Sequence, residues 1–159
     1  MHIAILTFQG FNELDSLIAL GVLNRIHKPN WRVTLCSPER QVTSMNGVTV
    51  HSQSTLDAIP TADAVIVGSG IKTREIINDS AIMTRLRLDP ARQLIAAQCS
   101  GALVLARLGL LGSGPCLALP CLALPCLVLL CLALPCLALP CFALPCLALP
   151  CLALPCLAL

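Results

Sequence analysis

Over the first 111 positions, apolar and polar residues fall into short blocks that alternate between the two periods distinguishing strands from helices. Residues 2–8 form an apolar run that predicts a buried first strand ending at Gln9-Gly10. Asn12 then offers a capping oxygen to a helix starting at Glu13, with Leu14, Leu17, Ile18, Gly21, Val22 and Arg25 following at helical spacing. Pro29-Asn30 breaks the chain, and residues 31–37 predict a second strand with Val33 and Leu35 on one face. Residues 42–43 and 48–52 flank Met45-Asn46-Gly47, where Asn-Gly supplies the positive φ angles of a tight hairpin. The next strand, 63–67, stops at Gly68-Ser69-Gly70 and opens into a helix predicted over about 73–88, which Asp89-Pro90 ends. Residues 93–98 form a strand running into Cys99-Ser100-Gly101, and Ala102, Leu103, Leu105, Ala106 and Leu108 continue in a helical pattern.

Strands alternating with helices at these lengths imply an α/β domain, a mostly parallel sheet flanked by helices on both faces. Ligands in such sheets bind beyond the carboxyl ends of the strands, near the point where strand order reverses. Asp15, Gly70 and Cys99 each lie just past a predicted strand end or in the first turn of the next helix, so the fold can bring them together.

The alternation stops at residue 114. Residues 115–159 are nine copies of Pro-Cys-Leu-Ala-Leu. A tandem DNA unit CCTTG reads as that pentapeptide in every frame of its strand, and the departures Val128, Leu130 and Phe142 each need a single C-to-T change. The segment therefore reads as a translated pentanucleotide repeat standing in place of the natural end. Two parts follow: a partial domain over 1–114, expected to be truncated at its C-terminal side and to lack a sheet edge, and a low-complexity repeat that is not expected to fold. Cysteines at intervals of five do not match the close ligand pairs of structural zinc sites. Proline at nearly every fifth position opposes a membrane-spanning helix, and the proline-free stretch 126–134 is far shorter than the roughly 20 residues a span requires. Neither a metal nor a membrane role is expected, and no cofactor is implied.

All charged residues, ten Lys and Arg against eight Asp and Glu, lie at or before Arg107, as do the three histidines. The net charge of +2 is small and scattered, which argues against a nucleic-acid or anionic-membrane surface. The amino-terminal run reads as a strand and lacks the parts of a signal peptide, so a cytoplasmic setting is expected. In a reducing compartment Cys36 and Cys99 are expected to be free thiols.

Cys99 carries the candidate chemistry. It stands between an apolar strand and a helix, with small residues at Ala97 and Gly101, the pattern of a nucleophile elbow in which a sharp turn holds the reactive atom above the sheet. A thiol at such a turn feels the positive end of the helix, which favours the thiolate. The plain alternative is one more inert, buried cysteine.

Taken together, Ile3-Ala4-Ile5-Leu6, Asp15, the run from Asp63 to Gly70 and Ala97-Gln98-Cys99-Ser100-Gly101 resemble the DJ-1/PfpI family of class I glutamine-amidotransferase-like domains. The resemblance covers residues 1–111 and is nearest to the branch holding isonitrile hydratases and the amino-terminal domains of some AraC-type regulators. It implies a flavodoxin-like fold, with Cys99 as nucleophile, Asp15 as the acid that hydrogen-bonds it, and the backbone N–H groups of Gly70 and Ser100 aimed at a developing oxyanion. A carboxyl beside a thiolate serves only if it is protonated as a donor or shares the proton. The chain departs from the family pattern in having Gly68-Ser69-Gly70 where Pro-Gly-Gly is usual, Ser100 where a histidine often stands, and no histidine after His51.

Two functions stay open on this reading. One is a cysteine-dependent hydratase or lyase acting on a small electrophile, an isonitrile or a reactive aldehyde, and expected to be inactive in the chain as it stands. The other is a non-catalytic ligand- or oxidant-sensing domain of a transcription regulator. The implied partners are a small molecule and, by resemblance, a second copy of the chain.

Overall fold

The computed structural model describes residues 1–111 and the strand Leu130–Leu132. Its centre is a sheet of five parallel strands in the order β5(Ser54–Thr55), β2(Arg32–Ser37), β1(His2–Leu6), β6(Ala64–Val67), β7(Leu94–Gln98). From β1 the chain builds β2 and β5 on one side and β6 and β7 on the other, so strand order reverses beside β1. This is the flavodoxin-like α/β architecture expected from the alternating blocks.

Strand β1 shows why the sheet is central. Its residues are buried on both faces, with Ile3 and Ile5 in one apolar cluster and Ala4 and Leu6 in the other. A strand covered on both faces needs a continuous apolar run rather than alternation. Helix α1(Glu13–Leu23) covers the first cluster with Leu17, Leu20 and Leu23. Helices α2(Thr73–Ile76), α3(Ser80–Arg85) and α4(Ala102–Arg107), with a 3-10 turn over Leu56–Thr61, supply Ile76, Met83, Leu86, Val104, Leu105, Leu56 and Ile59 to the second.

Asn12 caps α1 as expected, its side-chain oxygen accepting the N–H of Leu14 at 3.1 Å. The helical spacing does not mark the buried face: Leu14 and Val22 are 54% and 58% exposed, while Ser16 and Ala19 are buried. Leu and Val occur on both sides of this helix, so periodicity alone could not choose between them. The helix predicted over 73–88 is two short ones. Asp79 Oδ1 accepts the N–H groups of Ala81 and Ile82 at 2.8 and 3.2 Å, a cap that restarts the helix after a break at Asn78.

The hairpin forms between β3(Gln41–Thr43) and β4(Thr49–His51), but of its turn residues only Gly47 has positive φ, at 87°. The turn is wider than a two-residue loop because the Ser44 hydroxyl accepts the N–H groups of Asn46 and Val48 at 3.3 and 2.9 Å. Glu13 ties it to α1, its carboxylate accepting from the Ser44 hydroxyl and from Asn46 Nδ2. Those hydrogen bonds, Ser44 first, hold the Glu13 carboxyl below the usual carboxylate range.

β8(Leu130–Leu132) runs antiparallel beside β7, with Leu130 opposite Gln98. It falls in the proline-free stretch 126–134, where every residue has an N–H to donate. The rest of the repeat lies outside the described residues, as does the expectation that it does not fold.

Candidate active site

Three loops meet beyond the carboxyl ends of β1, β6 and β7. The first runs from Gly10 into α1, the second is Gly68-Ser69-Gly70, and the third is the turn Cys99-Ser100-Gly101 between β7 and α4. Glycine decides how closely they approach. A Cβ on Gly101 would lie 2.4 Å from the Val67 carbonyl oxygen and 2.8 Å from that of Gly68; one on Gly70 would lie 2.5 Å from the Gly10 oxygen. These contacts are with backbone on every side, so no side chain can give way. Residue 101 has an ordinary φ of −57°, which makes space rather than conformation the reason for glycine there.

Cys99 has a φ of 45°, in the left-handed region that a cysteine adopts only under constraint. The thiol is exposed, whereas Cys36 is buried, and both are free. The chain thus turns sharply at Cys99 between β7 and α4. Helix α4 has only six residues, so it offers Cys99 the N–H groups of one turn rather than a long aligned dipole.

Gly70 and Ser100 come together. The Gly70 N–H donates to Ser100 Oγ at 3.3 Å, so with serine in place of the usual second residue of the loop the donor still faces the elbow. The Ser100 hydroxyl lies 2.9 Å from Thr73 Oγ1, and Thr73 Oγ1 donates to the Gly70 carbonyl at 2.8 Å.

Asp15 sits in the first turn of α1 and is joined to the second loop at Ser69 and to Gln98, the residue before the turn. Its carboxylate accepts from the Ser69 hydroxyl, and its backbone oxygen accepts from Gln98 Nε2 at 3.2 Å. No hydrogen bond links Asp15 to Cys99 among the described residues. Gln98 itself is 1% exposed, and its Oε1 has no partner among the described residues.

The contacts that Ser69, Thr73 and Gln98 make at the site are not apparent from the sequence. Gln98 carried the clearest signal, since an amide closing the apolar run Leu94-Ile95-Ala96-Ala97 needs a polar partner once buried. Ser69 and Thr73 look like ordinary loop and cap residues until the loops are brought together. The histidines stand apart: His2 is buried in β1 against Thr34 at 2.8 Å, and His27 and His51 are exposed. A crevice of about 190 Å3 between Gln9, Glu39, Lys72, Glu75 and Asp79 does not include Cys99 among its lining residues. No three potential metal-ligating side chains cluster among the described residues.

The class these features define is that of flavodoxin-like α/β proteins, here with an exposed cysteine at a left-handed turn after the last parallel strand. The chain belongs to the DJ-1/PfpI family, which matches over residues 1–121. Its fold is similar to that of oxidised DJ-1 from Toxoplasma gondii, at 24% identity and a TM-score of 0.62, covering 76% of this chain and 67% of that one. A cysteine-to-alanine mutant of a DJ-1 superfamily protein from Salmonella typhimurium is 28% identical, with a TM-score of 0.56 and coverage of 69% and 62%. Drosophila melanogaster DJ-1beta gives 24% identity and a TM-score of 0.57, with coverage of 68% and 60%. The chain thus spans about 60–67% of the length of these three solved structures. No curated protein matches the sequence.

Proposed function

We propose that this is a cysteine-dependent domain of the hydratase or lyase type, in which the Cys99 thiolate adds to the electrophilic carbon of a small substrate. One observation carries the reading: the thiol is exposed on a left-handed turn that glycine contacts at Gly70 and Gly101 hold in place. With an aldehyde, a C–S bond forms, the carbonyl electron pair moves to oxygen, and the resulting oxyanion takes a proton to give a hemithioacetal. With an isonitrile, addition at the terminal carbon and protonation give a thioimidate; water then adds and the thiol leaves, yielding an N-formamide. The isonitrile-hydratase branch is the resemblance that favours the second substrate.

Asp15 is the proposed proton carrier, held between Ser69 and Gln98 at the edge of the elbow. Turnover needs more than addition, and no histidine hydrogen-bonds Cys99 among the described residues, so trapping of substrate without efficient turnover is the expected behaviour of this chain. The partner is a small molecule in this reading, with family-type pairing of two copies as a further expectation and the cytoplasm as the setting. No helix among the described residues is long and apolar enough to cross a membrane.

The test is adduct formation with methylglyoxal and with an alkyl isonitrile, followed by mass spectrometry. Modification at Cys99 that disappears in Cys99→Ser supports the reading; modification spread evenly over all thiols removes it. A second reading, oxidant sensing, rests on the contrast between exposed Cys99 and buried Cys36 and on a structural neighbour solved in oxidised form. Under mild peroxide it requires sulfinic acid at Cys99 before any other thiol.

A further inference from the structure

The hydroxyl of Ser100 occupies the donor that an oxyanion would need. Gly70 N–H reaches Ser100 Oγ at 3.3 Å, Ser100 Oγ is 2.9 Å from Thr73 Oγ1, and Thr73 Oγ1 is 2.8 Å from the Gly70 carbonyl oxygen. Each hydroxyl has one proton, so the shortest contacts are satisfied in one direction: Gly70 N–H to Ser100, Ser100 to Thr73, Thr73 back to the Gly70 carbonyl. The ring is closed on a single residue, Gly70. A contact of 3.3 Å between Ser100 Oγ and the Gly70 oxygen is the longer alternative for the Ser100 proton.

We infer that Ser100 is a specificity-determining latch on the oxyanion donor. In the resting site it keeps the Gly70 N–H engaged, and only an addition that places negative charge on oxygen competes strongly enough to displace it. A rotation about χ1 of Ser100 removes the hydroxyl and frees the N–H, at the loss of two neutral hydrogen bonds. An oxyanion replaces the first of these with a charge-assisted bond, roughly twice as strong. Alkylation of sulfur by displacement of iodide develops no oxyanion at this position and gains nothing from the exchange. Addition to an isonitrile develops no oxyanion in its first step either. The latch therefore disfavours carbonyl electrophiles, which must displace it, relative to others of equal reactivity, an inference that rests on the reading of Cys99 as a nucleophile.

The experiment uses the full chain and methylglyoxal as probe. Its apparent dissociation constant is read from the protection it gives Cys99 against iodoacetamide, quantified on tryptic peptide 93–107, in which Cys99 is the only thiol. Ser100→Ala removes the competing acceptor and is expected to tighten methylglyoxal by about three- to tenfold, the factor equivalent to one released neutral hydrogen bond. Thr73→Val loosens the ring from the other side and is expected to act in the same direction by a smaller factor, which separates the latch from any folding defect peculiar to residue 100. Unchanged or weaker binding in Ser100→Ala overturns the latch while leaving the nucleophile reading intact. Absence of protection in parent and variant alike overturns both.

Discussion

Replacing Gly101 by alanine adds one methyl group at the most crowded point of the molecule. The new Cβ would stand 2.4 Å from the Val67 oxygen, 2.8 Å from the Gly68 oxygen and 3.0 Å from the Val67 carbonyl carbon, against an ordinary contact range of 3.4–4 Å. Relief requires the elbow to move away from β6 by about an ångström, which breaks the approach that places Ser100 beside Gly70. Overpacking of this kind costs about 1–3 kcal/mol, and backbone on every side puts Gly101 at the upper end. Gly21 provides the matched control. It lies inside α1, and a Cβ there meets nothing within 4 Å, so Gly21→Ala should stabilise the helix by about 0.5–1 kcal/mol. The same chemical change is thus expected to have opposite signs at two sites, separated by about 3.5–4 kcal/mol. Urea titration with a slope of about 1–1.5 kcal/mol/M would show midpoints roughly 2.3–4 M apart. If Gly101→Ala stays within about 0.5 kcal/mol of the parent, the close packing of elbow on β6 is wrong, and with it the geometry of the site.

Cys99→Gly should relieve the left-handed turn and raise stability by about 0.5–1 kcal/mol while abolishing adduct formation at residue 99; a lower melting temperature would show that the turn is not strained. Gln93 donates to the carbonyls of Ile59 and Ala62 at 2.6 and 2.9 Å and accepts the Asp89 N–H at 2.7 Å, so Gln93→Leu strands three backbone groups and should cost about 2–4 kcal/mol in urea titration. His2 is held below its ordinary value of 6.5, chiefly by burial and then by the Arg32 charge. The fold therefore prefers neutral His2, its contribution is complete above about 6.5 and drains as pH falls below that value, and the melting temperature should drop between pH 7.5 and 5.5 by an amount that His2→Gln reduces. An undiminished drop in that variant would assign the pH dependence elsewhere.

The order of strands and helices was legible because it rests on local pattern. Strand β1, the Asn12 cap and the elbow follow from apolar runs, a capping residue and a small-x-Cys-x-Gly spacing, all within a few positions of one another. The features that local pattern does not show depend on distant partners. The break between α2 and α3 turns on Asp79 winning a capping role that competes with continued helix. The two-residue strand β5 exists only because Cys36 and Ser37 in β2 offer Ser54 and Thr55 an edge to pair with. At the site, Cys99, Gly70 and Asp15 were visible through resemblance, whereas the partners Ser69, Thr73 and Gln98 act through contacts spanning 54, 27 and 83 positions. Nothing in spacing could supply those.

The loops that meet at Cys99 are fixed mainly by main chain. Gly70 is bounded by the Gly10 carbonyl and Phe11, Gly101 by the Val67 and Gly68 carbonyls, and the strands that carry these groups are locked in a parallel ladder buried on both faces. Such a frame holds a cysteine at φ 45° whatever side chains surround it. Residues 69 and 100 can then change without cost to the scaffold, and both differ here from the usual family pattern. Each brings a hydroxyl, one to the Asp15 carboxylate and one to the Gly70 N–H, the groups proposed to move the proton and to receive the oxyanion. Substitutions at 69 and 100 should therefore alter reactivity with little change in stability, while substitutions at 70 and 101 should lose both together.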